Sequence, residues 1–277
     1  MTRDRRFWRA TARVAHESLA GHVDLPLTAG TLRSVAVPVA ELVRFADGMP
    51  RRDKQLLFGQ SFCVLETQDD WAVGVDPVDG YVGHLREADL GEGQAASHRI
   101  TALSSHIYSE PDLKSPERAS LSYGARLALT GEASGEWRAL AYGGGWVTEK
   151  HVADVADPAP DWVAEAERFL GVPYLWGGNS SFGIDCSGLV QIAMQAAGRD
   201  CPRDSDLQEA AFAEAAEPYQ RGDLVFRKGH VGILLDGETL LHANAHHMAV
   251  AREPLSEAIE RIGQKEFGAV TKVARPR

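Results

Sequence analysis

The chain has 277 residues, 44% of them hydrophobic and 25% charged, a composition that suits a globular protein of two or three domains. The formal net charge is −10, which argues against nucleic acid or an anionic membrane as the main partner. No apolar run approaches the ~20 residues of a membrane span. The opening MTRDRRFWRATARVAHESLAGH is basic but lacks the apolar core and cleavage site of a signal peptide, so a cytoplasmic location is expected. Three cysteines, Cys63, Cys186 and Cys201, fit neither a disulfide framework nor zinc-ligand spacing and suit a reducing compartment.

Residues 1–24 read as an N-terminal extension that packs on a neighbouring domain. A weak internal repeat follows. Its first copy runs from Phe58-Gly59 through Trp71 and Gly80-Tyr81-Val82-Gly83 to Ala88-Asp89-Leu90. The second runs from Tyr123-Gly124 through Trp137 and Gly145-Trp146-Val147 to Ala153-Asp154-Val155. Strand-like runs such as Ser61–Leu65 and Arg126–Leu129 lie between these markers. The order resembles bacterial SH3-like barrels and implies two small all-β modules, 25–93 and 94–156. One larger β-domain without a true repeat is the alternative. Cys63, between Phe62 and Val64, is expected in the core.

Asp157-Pro158-Ala159-Pro160 reads as a linker. Beyond it, Asp161 has the position of an N-cap for a helix carrying Trp162, Val163, Ala166, Phe169 and Leu170 and closed by Gly171. A glycine-rich loop, Gly171–Ile184, then delivers Cys186 to the first turn of a helix. That helix has apolar residues at Leu189, Val190, Ala193, Met194 and Ala197 and ends at Gly198. A thiol there sees the positive end of the helix dipole and free N–H groups, which favour the thiolate and suit an oxyanion. A buried core cysteine is the blander reading of an isolated thiol. A further helix begins at Ser205, which has capping-box spacing to Gln208. Strands are expected at 223–226, 230–235, 238–244 and 248–252. Helices followed by an antiparallel sheet make the C-terminal part α+β.

A nucleophilic cysteine needs a base and a group to orient it. His230 and His242 lie on consecutive strands around Asp236-Gly237. A two-residue loop would put the two histidines on opposite faces. A three-residue loop, Leu235-Asp236-Gly237 with Gly237 left-handed, would set His230 directly across from His242. One shared site requires the second. His242, His246 and His247 lack the carboxylate or cysteine that would complete a metal site, and no metal or other cofactor is expected.

Pro173-Tyr174-Leu175-Trp176-Gly177-Gly178, Asp185-Cys186-Ser187-Gly188, Gly222-Asp223-Leu224-Val225-Phe226, His230-Val231-Gly232-Ile233 and His242-Ala243 together resemble the NlpC/P60 cysteine peptidases over about 159–277. The resemblance implies a papain-like α+β domain. It also implies Cys186 as nucleophile, His230 as general base and acid, His242 as the group orienting His230, and Tyr174 beside the oxyanion. With SH3-like modules in front, the arrangement is similar to the cytoplasmic γ-D-glutamyl-L-diamino acid endopeptidases of murein peptide recycling. Those enzymes act on peptides with a free N-terminal L-Ala. That similarity implies Asp185, Ser187 and Tyr81 at the substrate ammonium, and Arg203 and Ser205 along the groove, Arg203 facing a substrate carboxylate. The partner implied is a murein peptide, L-Ala-γ-D-Glu-diamino acid. A hydrolase of intact peptidoglycan, an amidase or acyltransferase, and an inactive wall-fragment binder are the competing functions.

Overall fold

The computed structural model describes residues 4–265 and 268–276. It divides into two compact units, the first ending at Asp157 and the second beginning at Pro158, inside the expected linker.

In the first unit, strand pairing among the described residues never crosses residue 93. One seven-stranded sheet uses residues from Thr31 to Glu92. A three-stranded and a five-stranded sheet use residues from His98 to Asp154. The repeat is visible in the chain order. Strand Val82–Arg86, the 3-10 turn Glu87–Asp89 and strand Leu90–Glu92 are matched by Trp146–Thr148, Glu149–His151 and Val152–Asp154. A backbone hydrogen bond from the Arg126 N–H to the Phe58 carbonyl, 2.8 Å, ties the two strand systems together.

Alternating apolar positions fill the first core with Leu42, Leu56, Phe62, Ala72 and Leu85. Tyr81 packs there too, 2% exposed, its ring edge-on to Phe7 of the N-terminal extension. The extension is held further by the Arg5–Asp53 and Arg13–Glu66 ion pairs and by pairing of Ala15–His16 with Leu27–Thr28. Cys63 is half-buried, not fully in the core. Its strand position faces the Ala29 carbonyl at 3.5 Å instead of the barrel interior.

The second unit starts with helix α1, Trp162–Glu167. The Asp161 carboxylate caps it, accepting from Val163 N–H at 2.9 Å and Ala164 N–H at 3.2 Å. Helix α2, Cys186–Ala196, is buried along nearly its whole length, and Gly198 ends it in the left-handed region at φ 70. Helix α3, Ser205–Ala211, begins where expected but forms no capping box. Gln208 is fully buried instead and donates to the Ser187 carbonyl at 3.0 Å and the Pro202 carbonyl at 2.8 Å, so burial overrides the local cap.

An antiparallel sheet then carries β1 Leu224–Arg227, β2 His230–Leu234, β3 Thr239–Asn244 and β4 Ala249–Pro254 in consecutive order. Strand β5, Lys272–Arg275, pairs with β1, and Ala213–Glu214 lies at the edge beside β5. Helix α2 packs on β2 and β3. Helix α4, Leu255–Lys265, contributes Ala258 to a second core with Val225, Leu234 and Leu240. No helix among the described residues is long and apolar enough to cross a membrane.

Candidate active site

Cys186 is the first residue of α2 and is 7% exposed. Its N-cap, Asp185, binds the start of the helix through a 2.7 Å hydrogen bond from the Gly188 N–H to Oδ1. Its other oxygen accepts the Gly177 N–H at 2.9 Å. The glycine-rich loop and the helix are thus locked to one carboxylate.

Arg203 completes this lock. It is 1% exposed and grips Asp185 bidentately, Nη1 to Oδ1 at 2.9 Å and Nη2 to Oδ2 at 2.8 Å. The same Nη1 donates to Ser187 Oγ at 2.9 Å, and Nη2 donates to the Gly178 carbonyl at 3.1 Å. The substrate carboxylate expected for Arg203 is replaced by an internal one. Sequence shows the arginine but not its direction, because its partner lies 18 positions away. Asp185 and Ser187 are brought together at the site, yet the Asp185 charge is already compensated by Arg203. Ser205 stands half-buried at the start of α3, two residues after Arg203. Tyr81 lies in the core of the first unit, as described above.

The histidines occupy one face of the sheet, but the register differs from the one expected. The β2–β3 ladder pairs Ile233 with Leu241 and Leu234 with Leu240, and the Leu235 N–H donates to the Thr239 carbonyl at 2.9 Å. The loop is therefore Asp236-Gly237-Glu238, and Gly237 is not left-handed. Asp236 sets it: its Oδ1 accepts from the Glu238 N–H at 2.7 Å and the Thr239 N–H at 2.6 Å. Continued along the strands, this register puts His242 opposite Gly232, with His230 on the diagonal. The side chains still meet. His230 Nε2 and His242 Nδ1 are 2.8 Å apart, and the ring centres 5.0 Å. Gly232 permits the packing there, since a Cβ would lie 2.7 Å from Leu240 Cδ1.

A residue that sequence reasoning missed continues the row. Glu253, on β4, accepts from His242 Nε2 at 2.6 Å and is paired with Arg261 of α4. The only sequence signal for it is that it lies near the end of the strand following His242. Both ring nitrogens of His242 are thereby engaged within the protein.

Electrostatics at the thiol differ from the expectation as well. Burial, reinforced by Asp185, pushes the Cys186 thiol up to about 12. The Val231 and Ser187 N–H groups and Arg203 pull the other way and are outweighed. Burial, with the neighbouring His242, Arg227 and Arg261, holds His230 down to about 3. His242 is lowered too, chiefly by burial. Glu253 is held at about 2: burial alone would raise it, but the His242 hydrogen bond and the Arg261 charge prevail. Tyr174, half-buried, is raised by burial and by Cys186 and Asp185, so its phenol stays protonated as a hydrogen-bond donor beside the thiol.

Burial thus raises the thiol and lowers the imidazole, which favours the neutral pair at rest, with the proton leaving sulfur as attack proceeds. The helix N-terminus contributes as expected, but desolvation dominates it. Because the thiol is raised, its reactive fraction grows about tenfold per pH unit across pH 6–9. Iodoacetamide inactivation of the free protein is expected to accelerate with that slope. A rate that is flat over this range would show a thiolate–imidazolium pair at rest.

This geometry permits nucleophilic thiol catalysis. In the roles that the resemblance implies, Cys186 Sγ would attack an acyl carbon while His230 took the thiol proton and returned it to the leaving amine. The Cys186 N–H at the helix start is a free donor of the kind an oxyanion needs, and the protonated Tyr174 phenol, which feels the Cys186 charge, is the second donor that the resemblance implies. The class is that of the cysteine hydrolases.

Comparison with known proteins identifies two domains. The NlpC/P60 family model matches residues 171–264, and the model described as "Bacterial dipeptidyl-peptidase Sh3 domain" matches residues 47–90. Two relatives are named gamma-D-glutamyl-L-lysine dipeptidyl-peptidase. The one from Bacillus cereus is 29% identical, over 74% of this chain and 71% of its own. The one from Bacillus subtilis is 28% identical, over 78% and 79%. A crystal structure of an NlpC/P60 family protein from Bacillus cereus superposes with a TM-score of 0.75 at 21% identity. It covers 88% of this chain and 99% of that one, and it shows the shared fold. The chain therefore carries an NlpC/P60 cysteine peptidase domain with a bacterial SH3 domain ahead of it.

Proposed function

We propose that the protein hydrolyses the γ-D-Glu–diamino acid bond of murein peptides bearing a free N-terminal L-Ala and releases L-Ala-γ-D-Glu, as a cytoplasmic step of cell-wall peptide recycling. The observation that carries this reading is the span of the similarity. The two dipeptidyl-peptidases match across both units of the chain. By contrast, the probable endopeptidase p60 of Listeria monocytogenes matches only 87 residues, at 37% identity. A γ-glutamyl carbonyl is an ordinary amide electrophile, within reach of the thiol chemistry above. In this reading the substrate amine meets Asp185 and Ser187, the ammonium partners that the resemblance implies in the peptidase domain. Because Arg203 already offsets the Asp185 charge, discrimination against an acylated amine would come from hydrogen bonding and steric fit more than from net charge.

Mass spectrometry of a paired digest tests the proposal. The substrates are L-Ala-γ-D-Glu-meso-diaminopimelate, its L-Lys counterpart, and the N-acetylated form of each. Cleavage of the free forms is expected, with the acetylated forms at least ~100-fold slower. Equal cleavage of both would discard the amine requirement and favour a hydrolase of intact peptidoglycan. Cleavage of neither would overturn the substrate class.

A further inference from the structure

Three acid–base side chains stand on adjacent strands of the second unit. His230 is on β2, His242 on β3 and Glu253 on β4. The stagger repeats: His242 is opposite Gly232, two residues from His230, and Glu253 is opposite Leu240, two residues from His242. Side chains with this spacing share one face and meet on the diagonal. The result is a continuous hydrogen-bonded row, 2.8 Å from His230 to His242 and 2.6 Å from His242 to Glu253.

An ionised carboxylate only accepts, so His242 Nε2 must carry the proton in its bond to Glu253. A neutral imidazole has one N–H, so His242 Nδ1 is then an acceptor. The His230 Nε2 facing it must donate, which leaves Nδ1 as the nitrogen of His230 that can take a proton. The chain of donors thus runs in one direction only, and its sense is set at the carboxylate end. Arg261 of α4 donates to Oε1 of Glu253, the same oxygen that His242 uses. That contact keeps the carboxylate ionised and its acceptor oxygen turned toward the histidines.

We propose that Glu253, held by Arg261, is a positioning residue that fixes the tautomers of both His242 and His230 and so makes His230 Nδ1 the base for the Cys186 thiol. Without it, His242 would be able to protonate on Nδ1 and present a donor to His230. His230 would then have to turn its own acceptor toward His242 and protonate Nδ1, the wrong state for receiving the thiol proton. The role deepens the peptidase reading. It rests on the thiol chemistry and not on the proposed substrate.

Histidine-selective 15N NMR of the full chain tests it without any substrate, because it reads which ring nitrogen holds the proton. The wild type is expected to show Nε2–H at both His230 and His242. In Glu253→Gln, Arg261 still holds an acceptor oxygen in place, so both tautomers are expected to persist and kcat to stay within about tenfold. In Glu253→Leu the His242 proton is expected to redistribute, with kcat falling about 10–100-fold and KM nearly unchanged. Nδ1–H on His230 in the wild type would overturn the proposal, as would Glu253→Leu with wild-type tautomers and kcat. Should Glu253→Leu fail to fold, the wild-type and Glu253→Gln spectra decide: loss of the Nε2–H pattern in the Gln variant would refute an acceptor held by Arg261. A failed paired digest leaves these spectra unaffected, so the two readings can fail separately.

Discussion

Cys186→Ala is expected to lose at least ~10⁴-fold in kcat on whatever peptide the wild type cleaves, with the fold unchanged. Removing one sulfur atom at the start of α2 leaves the local structure to Asp185, whose cap bond to the Gly188 N–H does not involve the thiol. The histidine row is also untouched, since it is internally bonded from His230 through to Glu253. Substrate affinity is therefore expected to survive while turnover disappears. Steady-state kinetics beside a binding titration separates the two. A variant retaining a tenth or more of wild-type kcat would mean that Cys186 is not the nucleophile.

The second large effect concerns stability. Arg203→Ala removes the bidentate partner of a carboxylate whose side chain is itself only 11% exposed. An uncompensated buried charge costs about 3–5 kcal/mol. In a domain of this size that is on the order of 10 °C or more in Tm. Arg203→Lys is expected to rescue little, because an ammonium cannot reproduce the planar two-point contact. Asp185→Asn combined with Arg203→Met is expected to recover part of the loss, since both charges leave together. Thermal unfolding followed by circular dichroism reads all three. A Tm within about 2 °C of wild type for Arg203→Ala would return Arg203 to the role that sequence gave it, a groove residue facing the substrate.

That arginine shows where sequence reading stops. Its residue type and its place at the start of α3 are local, and both were legible. Its direction depends on Asp185 being brought to the same buried spot by a different loop. The histidine pair behaves likewise. Residue identity and strand order pointed to a shared site, and alternation kept His230 and His242 on one face. The choice between directly opposed and diagonal rested on how Asp236 hydrogen-bonds its own turn, a competition between loops that differ by a small register shift. The capping box at Ser205 failed for a related reason. Gln208 finds two carbonyl partners inside the protein, and that outweighs the local cap.

The amino-acid sequence by itself determined the placement of Cys186 at a helix start, the pairing of His230 with His242 on one sheet face, a division of the chain within the 157–160 linker and the β-rich repeat ahead of it. These are set by short-range pattern: periodicity, turn residues and motif spacing. Only the tertiary structure decided the diagonal register, the Arg203–Asp185 lock, the carboxylate of Glu253 at the end of the histidine row, and the burial that raises the thiol. Each of these depends on which distant groups share a buried volume. Desolvation and charge pairing act there at distances of a few ångströms, which spacing along the chain does not encode.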